Sequence, residues 1–340
     1  MAIASSGAVS FSDLRTEFVG GSAAISYSDL YRGGSNIRTK ASNNFATNLA
    51  ASVPTTGNPI NIANFRGQAK GFRITYGTGA AAANYQNQNA AVLFGDDYAV
   101  NYPKEIVIGS GVELGATSTS DEALEIPSGG AGLITVTNNG TISGAGGAAG
   151  AAGGDAFEAA VAVTLINNGL IRAGGGGGGT GGQGSYPSYS TPYWSGLYRW
   201  MSYHTGASSN AGNRQVAQWA GQYVVNQYTS ALSIGQYSRS SAVTFSGSFW
   251  QYRITKTTTN YQSGGAGGVG QGYNQSSGSG SSAPNNAGAG GSGGSFGQAG
   301  GGGVAGNYTN GVGGGAAGNY IRGLSFVTLT QSGTVQGNTA

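Results

Sequence analysis

Glycine recurs at every third position through three separate tracts of this chain, and that register leaves few folds open. Gly144, Gly147, Gly150 and Gly153 are in step, as are Gly175, Gly178, Gly181 and Gly184. A longer tract keeps Gly288, Gly291, Gly294, Gly297, Gly300, Gly303 and Gly306 in the same step. Glycine loses more backbone entropy on ordering than any other residue, so a glycine-rich segment is a flexible linker by default. A linker has no reason to hold a period of three. A left-handed helix of the polyproline-II type does, because it turns once in three residues and makes no internal hydrogen bonds. Glycine at every third residue lines one edge of such a helix with hydrogen atoms. Neighbouring backbones can then approach and pair their N–H and C=O groups. Collagen is excluded, since only 7 of the 340 residues are proline. The tracts 144–154, 173–184 and 264–318 are therefore expected to pack as a bundle, with Gly175, Gly178, Gly181, Gly288, Gly291, Gly294, Gly297, Gly300 and Gly303 as its scaffold positions.

Between the tracts lie strand-turn units. Residues 134–144 read ITVTNNGTISG, and 164–172 read TLINNGLIR, 29 residues later. The end of the sequence repeats the pattern as VTLTQSGTVQG at 327–337, with a weaker copy, IVIGSGV, at 106–112. Each is a β-branched run, a turn with Asn-Gly or Ser-Gly, and a second short run. That describes a hairpin or the corner of a solenoid, where glycine takes positive φ without steric cost. Another repeat fills the first 70 residues: AVSFSDL at 8–14 returns as AISYSDL at 24–30, and INIANFRG at 60–67 is a looser copy. The Ser-Asp and Ala-Asn steps suit a helix start or a tight turn. Three such units make a poor core for a free-standing domain. They are expected to dock on another protein, with Phe11, Leu14, Tyr27, Leu30 and Phe65 as docking candidates and a homotrimer among the assemblies allowed.

Residues 185–263 interrupt the glycine pattern. All 4 Trp and ten of the 19 Tyr fall here, with Arg199, Arg214, Arg239, Arg253 and Lys256 spaced between them. Tyr, Trp and Arg dominate binding hot spots, and Tyr, Ser and Asn dominate antibody-like paratopes. Some of these aromatics must form the segment's own core; the exposed remainder suits recognition. The leading contact candidates are Tyr193, Trp194, Tyr198, Arg199, Trp200, Tyr203 and Trp219.

Charge argues against most enzyme classes. Charged residues are only 8% of the chain, and all 12 acids lie at or before Glu158. The remainder holds six Arg and Lys256, a charge of +7, against −4 for the first 158 residues. Such dilute positive charge forms no basic cluster, so nucleic acid is not an expected partner. A Ser-His-Asp triad would need His204, the single histidine, to find its carboxylate in the other half of the chain. Paired glycosidase carboxylates would come from Asp96, Asp97, Glu105, Glu113, Asp121, Glu122 or Glu125, which read as surface-like and local. With no cysteine and one histidine, a zinc site is not expected. The glycine runs lack the Lys-Ser/Thr or helix that a phosphate loop needs. The chain reads as non-enzymatic and free of cofactors and metals. Its start has neither the basic region nor the apolar core of a signal peptide, and no stretch reaches the ~18–20 apolar residues of a membrane helix.

Residues from about 100 to 340 resemble the distal tail-fibre adhesins of T-even-type bacteriophages. The resemblance rests on VTLINNGLIRAGGGGGG at 163–179, on multiple glycine motifs separated by variable segments, and on the terminal unit FVTLTQSGTVQGNTA. It implies a lattice of polyglycine-II helices whose intervening segments emerge at the tip as loops that recognise outer-membrane proteins of Gram-negative hosts. That role would fall on 185–263 and on GYNQSSGSGSSAPNN at 272–286. The first 70 residues depart from the T-even pattern and resemble a virion-attachment module of assorted phage tail proteins.

The expected fold is mostly β and irregular, with short strand-turn repeats, a packed polyglycine-II helix bundle and little α-helix. The expected domains are an attachment module at 1–70, a β-rich connector at 71–143, and a glycine-rich domain at 144–340 carrying the insert at 185–263. The expected function is a virion-borne adhesin that docks to other tail proteins and binds an outer-membrane protein or lipopolysaccharide. The alternatives are a structural virion component without receptor binding and, less in keeping with so bulky an insert, an ice-binding protein.

Overall fold

In a computed structural model, the described residues are 3, 5, 9–19, 30, 47–50, 52–53, 62–65, 68, 70–77, 85–189, the strands between 193 and 246, and 249–340. Within the insert, from Tyr189 to 257, the description covers backbone alone. The fold is mostly β, with two short α-helices among the described residues, Phe11–Leu14 and Ala90–Phe94.

The strand-turn units are corners of a parallel solenoid. Three sheets run side by side, each contributing one strand to each of five coils. The first coil is Phe72–Tyr76, Tyr85–Gln86 and Gln88–Asn89. The second is Lys104–Ile108, Glu113–Gly115 and Leu124–Ile126. The third is Ile134–Asn138, Thr141–Ser143 and Phe157–Ala159. The fourth is Val163–Asn167, Leu170–Arg172 and Asn319–Arg322, and the fifth is Val327–Gln331, Thr334–Gln336 and Asn338–Thr339. Alternation puts every second side chain inside, where coil stacks on coil. Ile74, Ile106, Val136, Leu165 and Leu329 form one such column, and Leu114, Ile142, Ile171 and Val335 another.

The Asn-Gly turns explain their own composition. Asn138 and Asn167 are fully buried and stacked, with Asn138 Nδ2 donating to Asn167 Oδ1 at 2.8 Å. Asn138 Oδ1 accepts from the Gly140 amide at 3.1 Å, and Asn167 Nδ2 donates to the Thr334 carbonyl at 3.3 Å. Buried amides thus find partners in the next coil, as burial of polar groups requires.

The coils differ most at the corner between their second and third strands. A single residue fills that corner in the first and last coils, Asn87 and Gly337. Residues 116–123 fill it in the second, 144–156 in the third and 173–318 in the fourth. The glycine bundle is therefore a pair of excursions from one corner of the solenoid. The boundary expected at 143/144 falls inside the third coil, whose sheets continue across it.

Inside the bundle, residues 174–182 form the axis. Gly175, Gly178 and Gly181 donate to the carbonyls of Gln271, Gly268 and Gly265. Gly176, Gly179 and Gly182 donate to Gln298, Gly301 and Val304, while Gly174 and Gly177 donate to Gly154 and Ala151. The carbonyls are equally shared. Those of Gly175 and Gly178 accept from Gly147 and Gly150, and those of Gly176, Gly179 and Gly182 from Gly294, Gly291 and Gly288. Those of Gly174, Gly177 and Thr180 accept from Gly318, Gly315 and Val312. Each of three residue classes donates to one neighbouring run and accepts from another, so six runs surround the axis. All these bonds span 2.7–3.0 Å.

The glycines at 174–179 are what this contact demands. A Cβ at any of them would lie 1.7–2.2 Å from a backbone oxygen of a neighbouring run. Thr180 interrupts the series where the axis residue is exposed. Gly288, Gly291 and Gly294 also bond the run at 265–271, and Gly300 and Gly303 donate to Gly315 and Val312. Two in-step glycines do a different job. Gly150 (φ +75°) and Gly297 (φ +67°) sit in turns that reverse the chain, and both need the left-handed region.

The N-terminal module has its own small core. The first repeat begins Phe11–Leu14 with a reciprocal cap: Ser10 N and Oγ donate to Asp13 Oδ2 at 2.7 and 2.8 Å, and Asp13 N donates to Ser10 Oγ at 3.2 Å. Those bonds hold the Asp13 carboxyl below its ordinary pKa. Leu14, Leu30 and Phe65 are fully buried with Ile3, Phe18, Ala50 and Val53. Phe11 lies in the helix, with only its backbone described, and Tyr27 lies outside the described residues. Thr47–Asn48 pairs antiparallel with Phe72–Tyr76. Lys70 ties the module to the solenoid, donating to the Phe18 carbonyl at 3.1 Å and lying 4.6 Å from the Tyr102 ring centroid.

A methyl group on the axis should be far more damaging than one at the rim. Gly177→Ala, whose Cβ would sit 1.7 Å from the Ala148 oxygen, is expected to lose at least about 3 kcal/mol of unfolding free energy. Gly313→Ala, with open space around it, should stay within about 0.5 kcal/mol of the parent in the same denaturant titration.

Candidate functional site

The bundle has two ends. Turns at 272–275 and Phe296–Gly297 meet the solenoid, where Tyr273 N donates to Gly144 O and Gly297 N to Ala173 O. The Phe296 ring lies 3.7 Å from the Arg172 guanidinium carbon. The opposite end gathers the turns at 284–286 and 307–309 around the point where the axis run leaves the bundle at Gly184.

That far end is a hydrogen-bonded collar. Ser185 N donates to Asn307 Oδ1 at 2.6 Å, and Asn307 Nδ2 donates back to the Ser185 carbonyl at 2.9 Å. Asn286 Nδ2 reaches the same carbonyl at 3.4 Å, and Gln183 N donates to Thr309 Oγ1 at 2.7 Å. Asn285 and Asn286 take positive φ, which asparagine tolerates better than other side chains. From the collar rises an antiparallel stem, Gly184–Tyr189 against the end of Phe249–Gln262. Tyr261 of the stem and Tyr308 of the turn pack with their rings tilted at 53° and ring centroids 4.5 Å apart. Both are more than half exposed, as are Val304 and Val312 beside them in the sequence. The Tyr308 hydroxyl raises the pKa of Tyr261 through a hydrogen bond. The sequence has no charged residue between Lys256 and Arg322, so the collar is uncharged. Sequence reasoning missed Tyr308 and Asn307; a polar, aromatic triplet splitting two glycine runs was the available signal.

Beyond the stem, the insert is built on the strand Phe249–Gln262, paired on one side with Tyr193–Arg199 and on the other with Tyr237–Arg239 and Thr244–Ser246. Its register distributes the expected contact residues. Tyr193 pairs with Ile254 and Tyr198 with Trp250, positions on one face of the sheet. Trp194 pairs with Arg253 and Arg199 with Phe249, positions on the other face. Trp219 ends a separate hairpin, Asn213–Trp219 with Gln222–Gln227. Trp200, Tyr203 and His204 lie outside the described residues.

Of the carboxylates considered for catalysis, Asp121, Glu122 and Glu125 line one groove with Arg322, while Glu105 and Glu113 lie apart in ion pairs. Glu105 meets Arg73 at 2.5 Å and Glu113 meets Arg172 at 2.9 Å. Two of them are not surface-like as the sequence suggested: Asp97 and Glu122 are buried. Stacking of the coils brings the acid-free half against the acidic one, so Arg172 and Arg322 find partners from earlier coils.

A family model described as phage tail fibre adhesin Gp38 matches residues 71–340. The chain belongs to that family. The match begins where the first coil begins and includes both glycine excursions, so solenoid and bundle form one family unit. This makes the protein a phage tail-fibre adhesin and a component of the virion. No curated protein and no solved structure matches the chain. Among the described residues, no helix is long and apolar enough to cross a membrane.

The collar should loosen when its amide bridge goes. Asn307→Ala removes its side-chain bonds to Ser185 and is expected to cost about 1–2 kcal/mol locally. Amide exchange in 184–189 should quicken while exchange on the axis stays unchanged.

Proposed function

We propose that the protein recognises the surface of a Gram-negative host without catalysis, through the insert at 185–263 and the collar at its base. In this reading the bundle is a polyglycine-II scaffold. The three-residue recurrence of its bonds is that of a helix with three residues per turn. The observation that carries the proposal is the position of the stem: Ser185 is bonded to Asn286 and Asn307 at the end of the bundle away from the solenoid.

The mechanism is geometric. A segment that must order itself on binding spends part of its interaction energy on lost freedom. A stem rooted in fixed backbone starts with less freedom to lose. The collar supplies exposed tyrosines and amides without charge. The insert adds aromatic residues and five cations with no acid, suited to an outer-membrane protein or to lipopolysaccharide. At the other end, the core of Leu14, Leu30 and Phe65 gives the N-terminal module the shape with which it docks to other tail proteins.

Replacing 187–259 with an Asn-Gly turn keeps the Tyr186–Asn260 pair and closes the stem as a hairpin. The variant is expected to fold with an unchanged bundle and to lose strain-specific binding to a panel of Gram-negative cells. Undiminished binding by the folded variant would move recognition off the insert. Absence of binding by the intact, folded protein to every strain would favour the structural virion role.

A further inference from the structure

Both glycine excursions return to the solenoid on the same sheet. The first re-enters at Phe157–Ala159 and the second at Asn319–Arg322, and the two strands are neighbours. Asp155 follows the last glycine of the first excursion, and Asn319 that of the second. Asp155 Oδ1 accepts from Asn319 N at 2.6 Å and from its Nδ2 at 3.0 Å. Arg322 then reaches Glu122 at 2.5 Å, Asp155 Oδ2 at 3.7 Å, and Glu158.

More carboxylates crowd this groove than one guanidinium can neutralise. Glu125 stands in register beside Glu158 and is held by Asn89 Nδ2 at 2.6 Å. Asp121, which accepts from Asn87 at 3.4 Å, completes the lining. Asp121, Glu122, Glu125 and Glu158 line a cavity of about 430 Å³ with Arg322 as its one cation among the described residues, and Asp155 adds a fifth carboxylate beside that guanidinium. Like charges on directly opposed strand positions repel. Glu122 is the least exposed of the ion-paired acids, at 9%, so its charge is the most expensive to keep.

We infer that this cluster is a proton-operated clasp: a proton on Glu122 holds the return strand of the long excursion against the solenoid, and its loss loosens that strand. Burial raises the Glu122 pKa from 4.5 to about 7; Glu158, Glu125 and Asp155 add to the rise and Arg322 opposes it. The folded chain thus keeps a proton that the unfolded chain has released. The stabilisation is complete below about pH 4.5 and is lost as the pH rises through about 7. The other groups lining the groove, Asn87, Gln88, Asn89 and Ser120, carry no charge.

Amide exchange on the full chain, corrected for intrinsic rates, tests the clasp at pH 6 and pH 8. Protection of 155–159 and 319–322 is expected to fall about tenfold at the higher pH, the change that pKa values of 4.5 unfolded and about 7 folded allow over that interval. Glu122→Gln keeps an acceptor for Arg322 and fixes the neutral state, so its protection should not change over that range. Glu105→Gln, an equal charge change at the Arg73 pair, should retain the wild-type fall. Equal protection of the wild type at both pH values, or the same fall in Glu122→Gln, overturns the inference. Glu125→Gln provides a second reading should Glu122→Gln fail to fold. Removing that neighbouring charge should shift the wild-type transition to lower pH, and an unmoved midpoint overturns the inference equally.

Discussion

The whole structure turns on a backbone-to-backbone contact without side chains between the partners. Axis residues 174–182 spend their N–H and C=O groups on six surrounding runs, and no run could approach so closely past a methyl group. A conventional domain is held by apolar burial, with hydrogen bonds satisfied in passing. Here the order is reversed. The bundle's cohesion lies in bonds at 2.7–3.0 Å between peptide groups; of its few large side chains Val304 and Val312 face outward, while Tyr273 and Phe296 are buried at the solenoid end. Glycine's entropic penalty is severe in such an element, which is why the runs are joined by short turns and both excursions are anchored in a solenoid that has an ordinary core.

That anchoring explains the division of the chain. A parallel solenoid repeats one corner in every coil, and an insertion there leaves the strands in register above and below. The corner holds a single residue at Asn87 and at Gly337, yet holds 173–318 in the fourth coil. Because Asn319–Arg322 resumes beside Phe157–Ala159, the fourth coil closes as if the excursion were absent. Arg172 with Glu113 and Phe296 on one side, and Arg322 with its carboxylates on the other, fix the two ends of the long excursion.

The close backbone packing was legible in the sequence because its rule is local: glycine at every third residue clears one side of a run for a neighbouring backbone wherever it occurs. The strand-turn units were legible for the same reason. What they built was not, since a hairpin and a solenoid corner share a β-branched run and an Asn-Gly turn. Only the third strand of each coil separates them, and in the fourth coil that strand lies beyond the entire bundle. Charge misled in the same way. Arg172 and Arg322 belong to a half that has no acid of its own, but coil stacking sets them beside Glu113 and Glu122. The collar was missed because Asn307, Tyr308 and Thr309 look like an interruption; their value comes from meeting Ser185 and Gln183 across the fold.

The same physics separates what such a protein must keep from what it is free to change. At the axis glycines the identity of the residue is set by a neighbouring oxygen 1.7–2.2 Å from where a Cβ would be. At the tip the constraint is looser. The stem is held through the backbone of Ser185 and the side chains of Asn286, Asn307 and Thr309, and none of those bonds depends on what the insert carries beyond the stem. Thr180 and Val312 are exposed, and Tyr308 touches only the stem's Tyr261 ring among the described aromatics, so their replacement would leave the lattice bonds in place. A surface arranged this way can be rewritten for a new ligand without being refolded, because scaffold and surface draw on different atoms: peptide groups for one, side chains for the other.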